Sequence, residues 1–203
     1  MLITVDVRRN WDAITQQTAE TTPANCHSVL LEWRVEPPRV DAGVPGEIAE
    51  VIARVLTGLG EVAFRWSGER PWLQSEARVV PAPHRSLFER GSDWLTTSWP
   101  TDLVVTRSIA AAAQLFEHDW EIQGQTALVI DPHGGAAESA IAALQTRRDW
   151  RSFDMAAPVV ALMAPAVDGD GVQLTTRLPE QMEEIISRLA RAFGDAGIAL
   201  RTS

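Results

Sequence analysis

Residues 159–202 read VVALMAPAVDGDGVQLTTRLPEQMEEIISRLARAFGDAGIALRT, and this stretch decides the fold. Val159–Met163 and Val172–Thr176 are short runs rich in β-branched and aliphatic residues, joined across Asp168-Gly169-Asp170-Gly171. Aspartate and glycine supply the backbone freedom that a tight reversal needs, so the pattern predicts a hairpin. Pro179 then stands where a missing N–H costs nothing, in the first turn of a helix. Met182, Ile185, Ile186, Leu189 and Phe193 recur at helical spacing on one face, which predicts a helix over 179–193. Gly194 marks its end, and residues 197–202 follow as a strand.

Reading backwards, Thr126–Asp131 is a strand and Ala136–Arg147 an alanine-rich helix. The order over residues 121–203 is therefore βαββαβ, which resembles the ferredoxin-like arrangement. A second copy of the helix–strand part lies upstream. Pro45, Glu50, Ile52, Arg54 and Gly60 align with Pro179, Glu184, Ile186, Arg188 and Gly194. With two extra residues after Asp195, Val62–Ser67 aligns with Ile198–Ser203. Such self-similarity is the mark of a repeat. The first half offers a strand at 2–7, a helix at 11–20, a strand at 28–35, a proline-interrupted loop at 36–45, a helix at 46–59 and a strand at 61–67. The second strand of its hairpin is missing or very short.

Residues 68–101 hold Pro71, Pro81, Pro83 and Pro100, with one short strand near Ala77–Val80, and a helix is expected over 102–117. The expected class is α+β: antiparallel sheet or sheets with helices on one face, built from duplicated ferredoxin-like βαββαβ units. The expected divisions are 1–67 as a first repeat, 68–120 as an irregular Trp/Pro-rich insertion plus helix, and 121–203 as the second repeat. All three can pack as one domain.

Composition narrows the chemistry. Of 203 residues 45% are hydrophobic and 22% charged, the balance of a globular chain with a real core. No apolar run approaches the roughly 20 residues that span a bilayer. The start, Met1–Val7, reads as a strand and not as a secretory signal, so a cytoplasmic location is expected. Cys26 is the only cysteine, which rules out a disulfide framework and a cysteine-rich metal site. Every cationic side chain of the Lys/Arg kind is arginine, and there is no tyrosine, a bias that fits a GC-rich bacterial genome. Without lysine there is no Schiff base, no PLP attachment, no P-loop and no kinase site in their usual forms.

The net charge is −9, so clustered phosphates make poor partners, and neither nucleic acid nor an anionic membrane is expected. Opposite fields accelerate encounter, so a basic protein fits better.

The strongest enzyme-like feature is Asp131-Pro132-His133-Gly134-Gly135, between a strand and a helix. Amides there can hold an anion, and Asp131 with His133 can move a proton. Its plain reading is a strand-to-helix turn. His118 and Asp119 could join that pair around a metal, but no recognised ligand spacing is present. His27 and His84 are isolated. There is no GxSxG elbow, no HExxH and no GxGxxG, so no catalytic residue, metal or cofactor is expected.

Eight tryptophans stand against five phenylalanines. Tryptophans often fill cores, yet Trp66, Trp72, Trp94 and Trp99 lie in or beside the irregular region, with Trp120 soon after. Carboxylates are interleaved: Glu89, Asp93, Glu117, Asp119 and Glu121. Aromatic anchors ringed by acid suit capture of a basic protein. Trp72, Trp94, Trp99, Asp93, Asp119 and Glu121 are accordingly the expected binding residues, with Trp94 or Trp99 partly exposed. The function expected is a protein-binding inhibitor, of the kind that confers immunity by occluding the active site of a basic toxin. The alternatives are a small-molecule enzyme or ligand-binding domain at the Asp131/His133 turn, and a chaperone or subunit of a secretion system.

Overall fold

A computed structural model describes residues 2–9, 11–12, 17–18, 27–36, 44–66, 76–81, 102–119, 127–131, 137–146, 159–165 and 171–202. Its centre is one nine-stranded sheet. The strands in it are β1 (Leu2–Arg9), β4 (His27–Glu36), β5 (Glu61–Trp66), β6 (Ala77–Val80), β7 (Asp102–Thr106), β8 (Ala127–Ile130), β9 (Val159–Pro165), β10 (Gly171–Thr176) and β11 (Ala199–Thr202). Across the sheet they lie in the order β11-β1-β4-β10-β9-β8-β5-β7-β6. Each described pairing in it is antiparallel except β1 with β11, which is parallel. The class is thus α+β with a mixed, mostly antiparallel open sheet.

Four helices are described: α1 (Gly46–Thr57), α2 (Ile109–Asp119), α3 (Ala137–Thr146) and α4 (Pro179–Asp195). None is long and apolar enough to cross a membrane. Alternation along the strands assigns the helices to faces. Val29, Leu31, Val62, Phe64, Val104, Val129, Met163, Val172 and Leu174 share one core with Ile48 and Ile52 of α1, Leu115 and Phe116 of α2, and Ile185 and Phe193 of α4. The residues between them, Ala63, Leu103, Val105, Ile130 and Leu162, pack instead with Ala140 and Ile141 of α3. Three helices therefore cover one face and α3 lies on the other, which corrects the expectation of helices on one face.

Chain direction explains the division. β4, β5, β6 and β9 run one way and the other five strands run the opposite way. α1 joins β4 to β5, α4 joins β10 to β11, and α2 joins β7 to β8; each pair of strands is parallel. Going from β4 to β5 moves toward the β6 edge, whereas the other two crossovers start from opposite strands and move toward the β11 edge. On one face, these three crossovers have the same hand. Parallel crossovers share one hand because of strand twist, so the helices they carry fall on the same side. α3 joins β8 to β9, which are adjacent and antiparallel, so no such rule confines it.

The predicted hairpin strands and the two amphipathic helices sit where their patterns place them. The hairpin read at Asp168–Gly171 is the antiparallel β9/β10 pair. Residues 11–20 do not form the expected helix over their described part: β2 (Trp11–Asp12) pairs with β3 (Gln17–Thr18) in a separate two-stranded sheet. The helix expected over 102–117 begins later, because Leu103-Val104-Val105-Thr106 is a buried β strand between β5 and β6. Ser108 then starts α2, its hydroxyl accepting from the Ala111 N–H at 3.3 Å, which is N-cap geometry. The same hydroxyl donates to the Glu76 carboxylate, and Thr106 Oγ1 donates to the Glu76 carbonyl at 2.8 Å, so the chain entering β6 is tied to the end of β7. β6 and β7 thereby extend the sheet at its edge.

In the ferredoxin-like arrangement the last strand of the unit lies beside the first. Here β11 lies beside β1, and β8 lies between β9 and β5. Residues 121–203 do not close a sheet among themselves; the two halves of the chain share one. The helix–strand likeness read in the sequence has a counterpart. Each helix follows the second strand of an antiparallel pair, β1/β4 or β9/β10, and leads to a strand parallel to that one. The aligned pairs form alike: Arg54 bonds Glu50 at 2.7 Å and Arg188 bonds Glu184 at 2.6 Å. Arg188 also donates to the Gly58 carbonyl at the C-terminal end of α1, at 3.3 Å. A cation there neutralises unsatisfied carbonyls. Arg188→Ala is expected to lower stability by about 0.5–1 kcal/mol, since both contacts are half-exposed. Urea unfolding of the two proteins measures it, and an unchanged midpoint would show that the bridge between α1 and α4 contributes nothing.

Candidate functional site

The two faces of the sheet carry different chemistry. The helix layer buries an aliphatic face and turns its charged face outward. Glu47 and Glu50 of α1, Glu117 of α2, and Glu180, Glu183, Glu184 and Asp195 of α4 are exposed. Against these seven carboxylates the same helices carry three arginines, Arg54, Arg188 and Arg191, and the first two are bonded to Glu50 and Glu184. Local geometry fixes this bias. Glu47 and Glu180 lie in first helical turns, where the N-terminal dipole favours negative charge. Glu117 comes close to the first residue of α1: a side chain added at Gly46 would stand 3.4 Å from its carboxylate. The outer surface of the layer thus carries an excess of negative charge.

On the opposite face the described part of α3 packs over β5, β7, β8 and β9. Around β1, β4 and β10 the residues that alternate with the apolar set are polar apart from Leu30 and Gly171. Gln173 and Thr175 of β10 are 0% and 1% exposed, and Ser28 of β4 is 2% exposed. Ser28 and Thr175 face each other in register. Asp6 and Glu32 are register partners on β1 and β4, with Arg34 3.9 Å from Asp6. This strip mixes hydroxyl, amide, carboxylate and guanidinium groups. Among the described residues, no group of three or more His, Cys, Asp or Glu could hold a metal ion.

Compared with known protein families, with curated proteins and with solved structures, the chain matches none. What the site can do rests on its own residues.

Of the residues singled out in the sequence, Trp72, Asp93, Trp94, Trp99 and Glu121 lie outside the described residues. Asp119 is the last residue of α2, with its side chain outside them. His133 also lies outside, and Asp131 directly follows β8, half-buried. Trp33 is in the main core at 4% exposure, serving the packing role that tryptophan often has.

Ser28, Gln173 and Thr175 were not legible as buried groups. Val172-Gln173-Leu174-Thr175 alternates like a strand with one wet face, yet every residue of β10 is buried. Burial of the second face depends on what else the chain brings over it, which no local pattern carries. Among the described residues, Ser28 Oγ and Thr175 Oγ1 find no hydrogen-bond partner. A buried hydroxyl without one carries its full desolvation cost. Thr175→Val keeps the shape and removes that cost, so it is expected to raise stability by about 1 kcal/mol. A fall in the denaturation midpoint instead would mean that the hydroxyl is bonded in solution.

Proposed function

We propose that this protein is a binding protein for a basic protein partner, of the immunity type that neutralises a cationic toxin by occluding its active site. The observation that supports the reading most is the outer surface of the helix layer, where seven exposed carboxylates face three arginines. A net charge of −9 gathers the same sign over the whole molecule. A field of that kind steers a cationic partner toward contact and repels nucleic acid. Trp72, Trp94 and Trp99, with Asp93, Asp119 and Glu121, remain the proposed anchors and rim. Large aromatic side chains supply the affinity that exposed charges do not. No catalytic residue is part of the proposal, and the location proposed is cytoplasmic. An internal duplication belongs to it as well: two hairpin–helix–strand units, one ending in β5 and one in β11, set antiparallel across the β4/β10 pair.

The test is capture from the native host, followed by binding kinetics. A basic protein encoded beside this chain's own gene is the expected catch. Replacing Glu47, Glu180 and Glu183 together by Gln is expected to slow association several-fold at low salt and to leave it nearly unchanged at high salt, where charges are screened. Dissociation should change little. Capture of an acidic partner, or association insensitive to both salt and these substitutions, would remove the electrostatic basis of the proposal.

A further inference from the structure

We draw no further inference here: the strongest candidate, the buried polar strip of Ser28, Gln173 and Thr175 on the β4/β10 face opposite the α1–α2–α4 layer, carries nothing, because nothing in the structure shows what covers it.

Discussion

Phe116→Ala is expected to cost about 3–5 kcal/mol of folding free energy, a large share of what a domain of this size has. Phe116 of α2 is 1% exposed, and its ring meets Phe64 of β5 edge-on, with centroids 5.0 Å apart and planes at 66°. That geometry sets the positive edge of one ring against the negative face of the other. Truncation removes the pair and leaves a hole between α2 and the sheet. α1, which packs against α2, also packs against α4, and its Ile48, Ile52 and Leu56 are themselves fully buried. Collapse is therefore limited, and the cavity term adds to the lost transfer energy. Phe116→Leu should recover more than half of the loss. Chemical denaturation followed by tryptophan fluorescence measures both, since Trp33 lies in the same core. A cost below about 1.5 kcal/mol for the alanine variant would mean that α2 packs loosely on the sheet.

Gly60→Ala should be the second most damaging single change, although it adds only one methyl group. Gly60 stands between α1 and β5, where the turn brings the chain hard against the end of β8. A Cβ built there would lie 2.3 Å from the Ile130 carbonyl oxygen and 2.9 Å from its carbon. Both are backbone atoms of a paired strand, so neither can swing aside as a flexible side chain could. Ile130 pairs with Glu61 on one side and Val159 on the other. Relief requires parting β5 from β8 or lifting the end of α1, where the Gly60 N–H donates to the Leu56 carbonyl at 3.2 Å. The expected cost is about 2–3 kcal/mol, the upper range for overpacking. Gly194→Ala is the matched control. Gly194 aligns with Gly60 in the sequence, but an added Cβ there meets nothing within 4 Å. Alanine within α4 is favoured over glycine by about 1 kcal/mol, so the control should stabilise. Equal effects at the two positions would refute the close contact at Gly60.

The contrast between those glycines shows where the sequence stops informing. Aligned by their neighbours, they look equivalent, and each punctuates the end of a helix. In the fold α4 runs on to Asp195, and its chain reverses at Gly197, the residue with φ of 71°. α1 stops at Thr57, and Gly60 meets a strand more than sixty residues away in sequence. Only the neighbour supplied by the sheet separates a tolerated methyl from a clash.

The sequence by itself determined the elements whose signals are local. Helical spacing of Ile48, Val51, Ile52, Val55 and Leu59, and of Met182, Ile185, Ile186, Leu189 and Phe193, placed α1 and α4, because such a stripe can be buried in one way only. Turn chemistry at Asp168–Gly171 placed the β9/β10 pair, because a short reversal forces the strands it joins to lie side by side. The charge balance, the missing lysines and the single cysteine narrowed the chemistry, since composition does not depend on the fold. Tertiary structure decided the rest. It placed β11 beside β1 and let β8 enter between β9 and β5, pairings between segments far apart in the chain. It sent α3 to the face that the other helices leave, and it turned Leu103–Thr106 from a helical reading into a buried strand between β5 and β6. It also buried Ser28, Gln173 and Thr175. The physical reason is common to all of these: a strand's partners, and whether its second face is covered, are set by contacts that no neighbouring residue encodes.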